Sequence, residues 1–409
     1  MNKIITIKNN IQKYSLLEMG FNNQDLKKGI EVLKTGFITM NKETEKFEKI
    51  FAKKLNIKYA LMVNSGSSAN LLAAFAACNP LRENRFKRGD HALIPALCWS
   101  TSLWPLVQSG LKPKFIDVDP KTLNLDADNI ISKITKKTKV IMLVNVLGIS
   151  ANNKKIINYA KKNGIIVIED NCEALGAKLD KKYLGTIGDF GTYSFFYSHQ
   201  ITSGEGGMVV CNNKKDYEIL LALRSHGWSR GKNVYAKNAK KYPNLDPRYI
   251  FINSGFNLRP TDIQAAIGRS QFKRLDFFKK TRTMNKNKII NSLVKDKRWK
   301  GQFKFVKYSK RINPSYMVLP ILLDIKFLDK KKKFIKLIEE KGLETRPIIS
   351  GSFVNQPSTK LYNLNPGNQK FNGAQKVQDQ GFVIGLSTKK IDKKKIDFVT
   401  NVLFLIDSI

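Results

Sequence analysis

Histidine and cysteine are scarce in this chain, which has three histidines and four cysteines among its 409 residues. Cys78, Cys98, Cys172 and Cys211 lie far apart, and no two of them form a C-x-x-C pair. This spacing argues against a disulfide framework and against a metal site, and it favours a reducing compartment. We therefore expect no metal ligand in this protein.

Long hydrophobic runs and a signal-peptide core are also missing. The first twenty residues, MNKIITIKNNIQKYSLLEMG, mix apolar and polar positions, and no later stretch approaches the length that a bilayer requires. We expect a cytoplasmic protein with no membrane partner.

Acidic residues are outnumbered, because 33 Asp and Glu stand against 72 Lys and Arg, and the formal net charge is +39. Such an excess first suggests nucleic acid, since clustered cations neutralise phosphates. The lysines are instead spread over short runs, with no aromatic-interleaved basic motif and no zinc-finger spacing. We favour a solvated, lysine-rich surface and expect no nucleic-acid partner. The charge would still suit an anionic substrate.

Apolar strands alternate with helices through the first part of the chain. The candidate strands are residues 58–63, 92–95, 114–118, 140–146 and 165–169, and residues 153–162 form an intervening helix. This alternation predicts an α/β fold with a mostly parallel central sheet and helices on both faces. Ligands of such folds gather at the carboxyl ends of the strands.

The pattern changes after residue 211. The polar segment up to about Tyr249 is typical of an insertion loop, and an amphipathic helix is expected to run from the segment 254–266 to about Lys280. Because the strand–helix alternation ends near Thr281, we divide the chain into a large domain, residues 1–280, and a small α+β domain, residues 281–409.

A polar loop joins two further predicted strands, residues 192–197 and 207–211, and it carries His199. Gly204, Gly206 and Gly207 permit the positive φ that a tight turn needs. A histidine on such a loop is either a hydrogen-bonded polar side chain or a catalytic group, and the loop by itself does not distinguish the two.

Other polar side chains fall where predicted strands end. Asn64-Ser-Gly-Ser-Ser leads from a strand into an alanine-rich helix, and such a junction suits an anion, although ordinary N-capping by a serine is the alternative. Trp99 follows a second strand, and Asp170 ends a third. A phosphate-binding helix start, a stacking aromatic ring and a strand-end carboxylate are the parts that hold pyridoxal phosphate.

The order of these motifs resembles that of the sugar aminotransferase family called DegT/DnrJ/EryC1/StrS. The motifs are NSGSSAN, PALCWSTS, VIEDNCEALGA, GDFGTYSFFYSH, TSGEGG, LRSHG and GFNLRPTDIQAA, and the resemblance extends from about Val32 to the C-terminus. It implies a fold-type I pyridoxal phosphate enzyme whose large domain binds the cofactor. It also implies a homodimer with shared active sites.

The same resemblance assigns the cofactor-binding side chains. Trp99 would stack on the cofactor ring, and Asp170 would pair with the pyridine nitrogen. Asn257 would reach the phosphate of the neighbouring subunit. The residues around the phosphate of the same subunit would be Gly66, Ser67, Ser68 and Ser194.

His199 departs from the aminotransferases of this family, which carry at this position the lysine that binds the cofactor covalently. It resembles instead a branch of nucleotide-sugar 3-dehydrases that remove the C3 hydroxyl of 4-keto-6-deoxyhexoses. Glu173, where the aminotransferases usually carry glutamine, and His226 match that branch as well. His199 would act as the base, since a histidine has a pKa near neutrality and cannot hold the cofactor covalently.

The resemblance thus implies a dehydratase (lyase) that uses pyridoxamine 5'-phosphate and pyridoxal 5'-phosphate, with His199, Glu173 and His226 as catalytic residues. Its substrate would be a nucleotide-diphosphate 4-keto-6-deoxyhexose, for 3,6-dideoxysugar and lipopolysaccharide O-antigen biosynthesis. L-glutamate would regenerate the pyridoxamine form. The nucleotide (GDP, CDP, dTDP or UDP) stays open, and Arg346 is either a substrate contact or a surface arginine beside a strand.

One type within this branch carries a four-cysteine [2Fe–2S] cluster between the His-Gly and Gly-Phe-Asn motifs. Residues 228–254 contain no cysteine, so we expect no iron–sulfur cluster. Three alternatives remain: a relative of the cluster-bearing type that has lost its cysteines, a nucleotide-sugar 4-aminotransferase that uses another base, and a binding protein without enzymatic activity.

Overall fold

The computed structural model describes residues 13–18, 20–82, 86–150, 153–229 and 232–409, and for residues 232–235 it describes the backbone only. Most of the N-terminal stretch that lacks a signal-peptide core therefore lies outside the described residues. Among the residues described, no helix is long and apolar enough to cross a membrane.

Strands and helices largely alternate through residues 59–170. The α-helices of the described chain are α1 (Asn23–Leu33), α2 (Lys42–Leu55), α3 (Gly66–Ala77), α4 (Ser100–Gln108), α5 (Ala127–Ser132), α6 (Asn153–Lys162), α7 (Lys214–Arg224), α8 (Lys232–Lys241), α9 (Asp262–Phe272), α10 (Leu275–Lys295), α11 (Lys331–Glu340), α12 (Pro357–Leu361), α13 (Asn372–Gln380) and α14 (Lys393–Leu403). The strands are β1 (Tyr59–Val63), β2 (His91–Pro95), β3 (Lys112–Ile116), β4 (Val118–Asp119), β5 (Asn124–Leu125), β6 (Thr138–Val144), β7 (Ile166–Asp170), β8 (Lys178–Leu179), β9 (Lys182–Tyr183), β10 (Phe190–Ser194), β11 (Gly207–Cys211), β12 (Phe303–Phe305), β13 (Ile312–Asn313), β14 (Val318–Leu323), β15 (Thr345–Arg346) and β16 (Gly381–Gly385).

The central sheet has the strand order β1-β11-β10-β7-β6-β2-β3. The pairs from β10 to β3 are parallel, and β11 is antiparallel to both of its neighbours. Parallel strands end at the same edge of a sheet, so the residues that follow β2, β6, β7 and β10 meet there. The predicted α/β fold with a mostly parallel sheet is confirmed.

Helices cover both faces of this sheet, as the side chains of β1 illustrate. Leu61 and Val63 pack into the core beneath α3, whereas Ala60 and Met62 pack into the core beneath α2 and α9. Side chains alternate between the two faces of a strand, and both sets on β1 are apolar because both faces are covered.

The second sheet follows α10 and has the antiparallel order β12-β14-β16-β15. Side chains of α10, α11 and α14 share its hydrophobic core, with Ile289, Phe334 and Val399 among its fully buried members. The helix α10 runs continuously through position 281. The division into domains 1–280 and 281–409 stays a prediction.

Three local predictions differ from the structure. The polar segment before Tyr249 contains the helix α8 and is not a bare loop, and the helix predicted to end near Lys280 is divided into α9 and α10. The predicted strand 192–197 ends at Ser194, because the Ser194 hydroxyl accepts a hydrogen bond from the Phe196 N–H at 3.2 Å and the chain turns there.

Candidate active site

A cavity of about 510 Å³ opens at the carboxyl edge of the parallel strands. The start of α3, the start of α4 and the segments after β6, β7 and β10 all contribute to its wall. The residues that line it and were singled out from the sequence are Gly66, Ser67, Trp99, Asp170, Glu173, Ser194, His199 and Arg346. The structure therefore brings together side chains that are up to 280 positions apart in the sequence.

The start of α3 forms one wall of the cavity. Ser65 is the N-cap residue, and its hydroxyl accepts a hydrogen bond from the Ser68 N–H at 3.1 Å. A Cβ at Gly66 would lie 2.4 Å from the Ser194 Cβ, so β10 approaches the helix start too closely for any residue but glycine. The first-turn N–H groups have no acceptor within the helix and suit an anion.

Asp170 lies at the end of β7 and is 4 % exposed. Its Oδ2 accepts hydrogen bonds from Asn70 Nδ2 at 2.8 Å and from the Ser102 hydroxyl at 2.7 Å. Its Oδ1 accepts one from the Cys172 N–H at 3.1 Å. The Thr192 hydroxyl donates in turn to Asn70 Oδ1 at 2.6 Å, so the carboxylate has a fixed orientation.

These groups fit pyridoxal phosphate. The α3 start and the Ser67 hydroxyl suit its phosphate, and the oriented carboxylate of Asp170 suits a protonated pyridine nitrogen. Trp99 lines the same cavity and is 56 % exposed, although it is a large aromatic side chain. A flat ring stacked on Trp99 would cover that surface.

His199 lies in the loop after β10 and is half-buried at the cavity wall. Burial lowers the pKa of its imidazole to about 4, and the positive charge of Arg282 acts in the same direction. Within the described chain, its buried Nδ1 atom has no hydrogen-bond partner. His199 is therefore neutral near pH 7, which is the form that accepts a proton.

Glu173 faces the same cavity, and its pKa is shifted in the opposite direction. Burial raises the pKa of its carboxyl to about 7, the charge of Asp170 adds to this, and the hydrogen bond from the Leu147 N–H at 3.0 Å opposes it. Leu147 is buried in the left-handed region with φ of 52°, a strained conformation for this residue type. Glu173 thus holds the strained turn after β6 at the wall of the cavity that His199 also lines.

His226 and Asn257 do not line this cavity. They lie on the surface beside one another, where Arg259 Nε donates to Asn257 Oδ1 at 3.0 Å and Arg259 Nη2 lies 3.4 Å from His226 Nε2. Both His226 and Asn257 are exposed. The role that the family resemblance implies for Asn257, at the phosphate of a neighbouring subunit, therefore stays a prediction.

Two of the predicted cofactor- and substrate-binding residues contribute less directly to the cavity. The Ser68 side chain is buried, accepts a hydrogen bond from the Ser65 hydroxyl at 3.0 Å, and is not part of the cavity wall. Arg346 is exposed on β15 at the cavity rim.

Sequence reasoning missed several residues that support the site: Ser65, Asn70, Ser102, Leu147, Arg259 and Arg282. A signal existed for Asn70, which lies one helical turn after Gly66 and hence on the same face of α3. Ser102 likewise lies about one helical turn after Trp99, near the start of α4. No local signal marks Arg282, which lies in the middle of α10.

The four cysteines are all unpaired thiols. Cys172 lines the cavity, and burial raises the pKa of its thiol well above the usual value, which leaves it protonated and unreactive. Throughout the part of the chain that the structure describes, no group of three or more His, Cys, Asp or Glu side chains is arranged to hold a metal ion.

Comparison with known proteins bears on this site. The profile of the DegT/DnrJ/EryC1/StrS aminotransferase family matches residues 21–404. A GDP-4-keto-6-deoxy-D-mannose 3-dehydratase of Yersinia pseudotuberculosis is 36% identical over 326 residues, which cover 79% of this chain and 81% of the relative.

Two solved structures are similar along almost the whole chain. One is an E. coli GDP-4-keto-6-deoxy-D-mannose-3-dehydratase with bound hydrated PLP, with 31% identity, a TM-score of 0.85, and coverage of 96% of this chain and 99% of the other. The second is a GDP-4-keto-6-deoxymannose-3-dehydratase with a trapped PLP-glutamate geminal diamine, with 30% identity, a TM-score of 0.82, and coverage of 96% and 100%.

Proposed function

Because this chain belongs to the DegT/DnrJ/EryC1/StrS aminotransferase family, we propose that it is a pyridoxamine phosphate- and pyridoxal phosphate-dependent 3-dehydratase of a nucleotide-diphosphate 4-keto-6-deoxyhexose. The relatives described above carry that activity in their names, on the GDP-linked sugar. GDP-4-keto-6-deoxymannose is therefore the first substrate to test, and the product would be a 3,6-dideoxy-4-keto sugar for O-antigen biosynthesis.

The observation that carries the proposal is the chemistry of the cavity wall around His199. None of the described residues that line the cavity is a lysine, although lysines and arginines number 72 in the chain. An aminotransferase of the usual type needs a lysine amine next to the cofactor. A neutral imidazole can move a proton there but cannot bind the cofactor covalently.

The cofactor, when bound, supplies an amine that condenses with the 4-keto group and a ring that accepts electrons. The α3 start, Ser67 and Ser194 would hold its phosphate, Asp170 would keep its pyridine nitrogen protonated, and Trp99 would cover its ring. His199 would accept the proton whose removal allows the C3 hydroxyl to leave. Glu173, with a pKa of about 7, can hold a proton near that hydroxyl at neutral pH.

We propose L-glutamate as the amino donor that restores the pyridoxamine form, because a relative of this fold has been solved with a PLP-glutamate adduct. Arg346, exposed at the cavity rim, is our candidate partner for a carboxylate of the donor or for the substrate diphosphate.

We also propose a homodimer in which each site is completed by the neighbouring subunit. His226, Asn257 and Arg259 form a surface cluster outside the cavity that His199 lines. On α1, moreover, Leu26, Ile30 and Leu33 are 49 to 54 % exposed, and Phe37 and Ile38 follow directly with 53 and 46 %. An apolar face of this extent suits the burial between two copies.

The test is incubation with pyridoxamine phosphate, L-glutamate and a panel of nucleotide 4-keto-6-deoxyhexoses, followed by mass spectrometry. Loss of one oxygen from the sugar is the expected result. Conversion of the ketone to an amine with the oxygen retained would instead show a 4-aminotransferase. Covalent attachment of the cofactor to a lysine of the wild-type protein after borohydride treatment would also overturn the dehydratase.

His199→Lys is the matching variant. It should lose deoxygenation and gain cofactor attachment that borohydride makes permanent, since it introduces the missing amine. Unchanged deoxygenation by this variant would remove His199 from its role as the base.

A further inference from the structure

Arg282 lies on α10 and reaches the loop that carries His199. Its side chain is 2 % exposed. It donates hydrogen bonds to the carbonyl oxygens of His199 at 3.4 Å, Gln200 at 3.1 Å and Leu386 at 3.2 Å. One guanidinium therefore joins α10, the β10–β11 loop and the segment after β16.

We propose that Arg282 is a positioning residue for His199: it fixes the backbone of the His199 loop and places a permanent positive charge beside the imidazole. The catalytic consequence rests on the proposed function, in which His199 is the base, whereas the structural and electrostatic consequences do not.

The hydrogen bonds of Gln200 extend this anchoring across the site. Gln200 Nε2 donates to the carbonyl oxygen of Glu173 and, at 3.0 Å, to that of Ser315. Through Gln200, Arg282 thus holds the His199 loop in a fixed position relative to the segment that carries Glu173. Reacting groups must be held to within about an ångström, because misplacement by that distance costs roughly 100-fold in rate.

The charge of Arg282 acts on the protonation of His199. Burial lowers the pKa of Arg282 itself to about 10, so the guanidinium stays charged at neutral pH. Protonating His199 would place a second positive charge close to it and a second N–H on the buried imidazole, whose Nδ1 meets no acceptor among the described residues.

Other charged or titratable groups share the cavity wall with His199. They are Asp170, Cys172, Glu173, Glu205 and Arg346. A nearby carboxylate favours an imidazolium, whereas burial and, after it, the charge of Arg282 lower the pKa of His199. Removal of the Arg282 charge should therefore raise the pKa of His199.

Lysine cannot replace both functions of Arg282. A lysine amine keeps the positive charge, but it lacks the planar fork that reaches several carbonyl oxygens in fixed directions. The variants Arg282→Gln and Arg282→Lys thus separate the charge from the geometry.

The first experiment is an NMR titration of cofactor-free protein with isotope-labelled histidine. The chain has only His91, His199 and His226, so the His199 signal can be assigned from its loss in His199→Asn. Arg282→Gln should raise the titration midpoint of His199 by about one pH unit, and Arg282→Lys should leave it near the wild-type value. An unchanged midpoint in Arg282→Gln overturns the electrostatic role.

The matched control is Arg274→Gln, at the N-cap of the same helix. Arg274 also donates to a backbone carbonyl, that of Gly20 at 2.8 Å, and it pairs with Asp25, whereas Arg282 donates to the carbonyl oxygens of His199 and Gln200. It should cost stability without moving the His199 midpoint, and a shift as large as that in Arg282→Gln would contradict our proposal.

The second experiment measures steady-state deoxygenation. Arg282→Lys should lower kcat roughly 10- to 100-fold with KM for the sugar nucleotide within about twofold, because the base is misplaced while the binding groups remain. A wild-type kcat in Arg282→Lys overturns the positioning role. If Arg282→Gln does not fold, the kcat of Arg282→Lys alone tests that role. If wild-type protein deoxygenates no substrate, the proposed function fails while the NMR titration still tests Arg282.

Discussion

His199 and Glu173 face one cavity with pKa values moved in opposite directions, to about 4 and to about 7. An imidazole that stays neutral accepts a proton, and a carboxyl that is half protonated near pH 7 can donate one. Such a separation of two titratable groups is the usual basis for assigning a base and an acid at a site.

His199→Asn should lower the rate of deoxygenation about 100- to 10,000-fold, because the proton acceptor is lost while the groups that bind cofactor and substrate remain. Steady-state kinetics with pyridoxamine phosphate measures this, and cofactor affinity should change little. His91→Asn is the control, since His91 lies at the start of β2 and away from the cavity wall. Equal rates for the two variants would contradict the role of His199.

Glu173→Gln should change the pH dependence of stability. The folded-state pKa of Glu173 is about 7 against an ordinary value of 4.5, so the folded protein binds this proton more tightly, and the wild type loses stability as pH rises from 4.5 to 7. The variant lacks this loss. Its free energy of unfolding relative to the wild type should therefore increase between pH 5 and pH 8, by on the order of 2 kcal/mol.

Urea denaturation of cofactor-free protein at several pH values measures this difference. Glu31→Gln serves as the control of opposite sign, because an exposed ion pair with Lys28 lowers the pKa of Glu31. The contribution of Glu31 to stability is therefore present at high pH and lost as pH falls. A pH-independent difference for Glu173→Gln would contradict the raised pKa.

Among the elements, the contact between the start of α3 and the end of β10 shapes the proposed phosphate site. Gly66 is where the two meet, and Ser65 and Ser194 flank the same point. The strand β10 is held in place by its parallel pairing with β7, in which Thr192 lies opposite Asp170. The phosphate end and the ring-nitrogen end of the site are therefore tied together by neighbouring strands.

Gly66→Ala should weaken binding of pyridoxal phosphate roughly tenfold or more. The added methyl group would lie 2.4 Å from the Ser194 Cβ, so the helix start or the strand end must move, at a cost of about 1–3 kcal/mol. An absorbance titration gives the affinity. Gly367→Ala is the matched control, because a Cβ there meets nothing within 4 Å. Unchanged affinity in Gly66→Ala would contradict the assigned phosphate site.

At the scale of the whole molecule, the positions of two groups of predicted residues support the proposed dimer. His199 and its neighbours line the cavity, whereas His226 and Asn257 lie on the exposed surface beside Arg259. A site that needs both groups requires two copies of the chain.

Mixing two inactive variants tests this sharing. His199→Asn and the double variant His226→Ala, Asn257→Ala damage opposite sides of a shared site, so a mixed dimer contains one intact site. After unfolding and joint refolding, the mixture should recover roughly a quarter of the wild-type activity, since random pairing makes half of the dimers mixed. Each variant refolded alone is the control. Recovery of no activity, or a single-chain mass in solution, would contradict shared sites.

The sequence alone was sufficient for the α/β class and for several polar side chains of the cavity wall. Strand and helix alternation is a local, periodic property, and parallel strands deliver their following residues to one edge whatever their order in the sheet. Trp99, Asp170 and His199 could be assigned to one site for this reason. Through the resemblance to the DegT/DnrJ/EryC1/StrS family, the histidine at position 199, where the aminotransferases carry a lysine, also predicted the reaction.

Only the tertiary structure decided which residues support that wall and which lie elsewhere. Asn70 and Ser102 reach Asp170 across 100 and 68 positions, and Arg282 reaches His199 across 83. Helical periodicity places Asn70 on the same face of α3 as Gly66, but the contacts themselves depend on how the helices pack on the sheet. The same packing placed His226 on the exposed surface, outside the cavity that His199 lines.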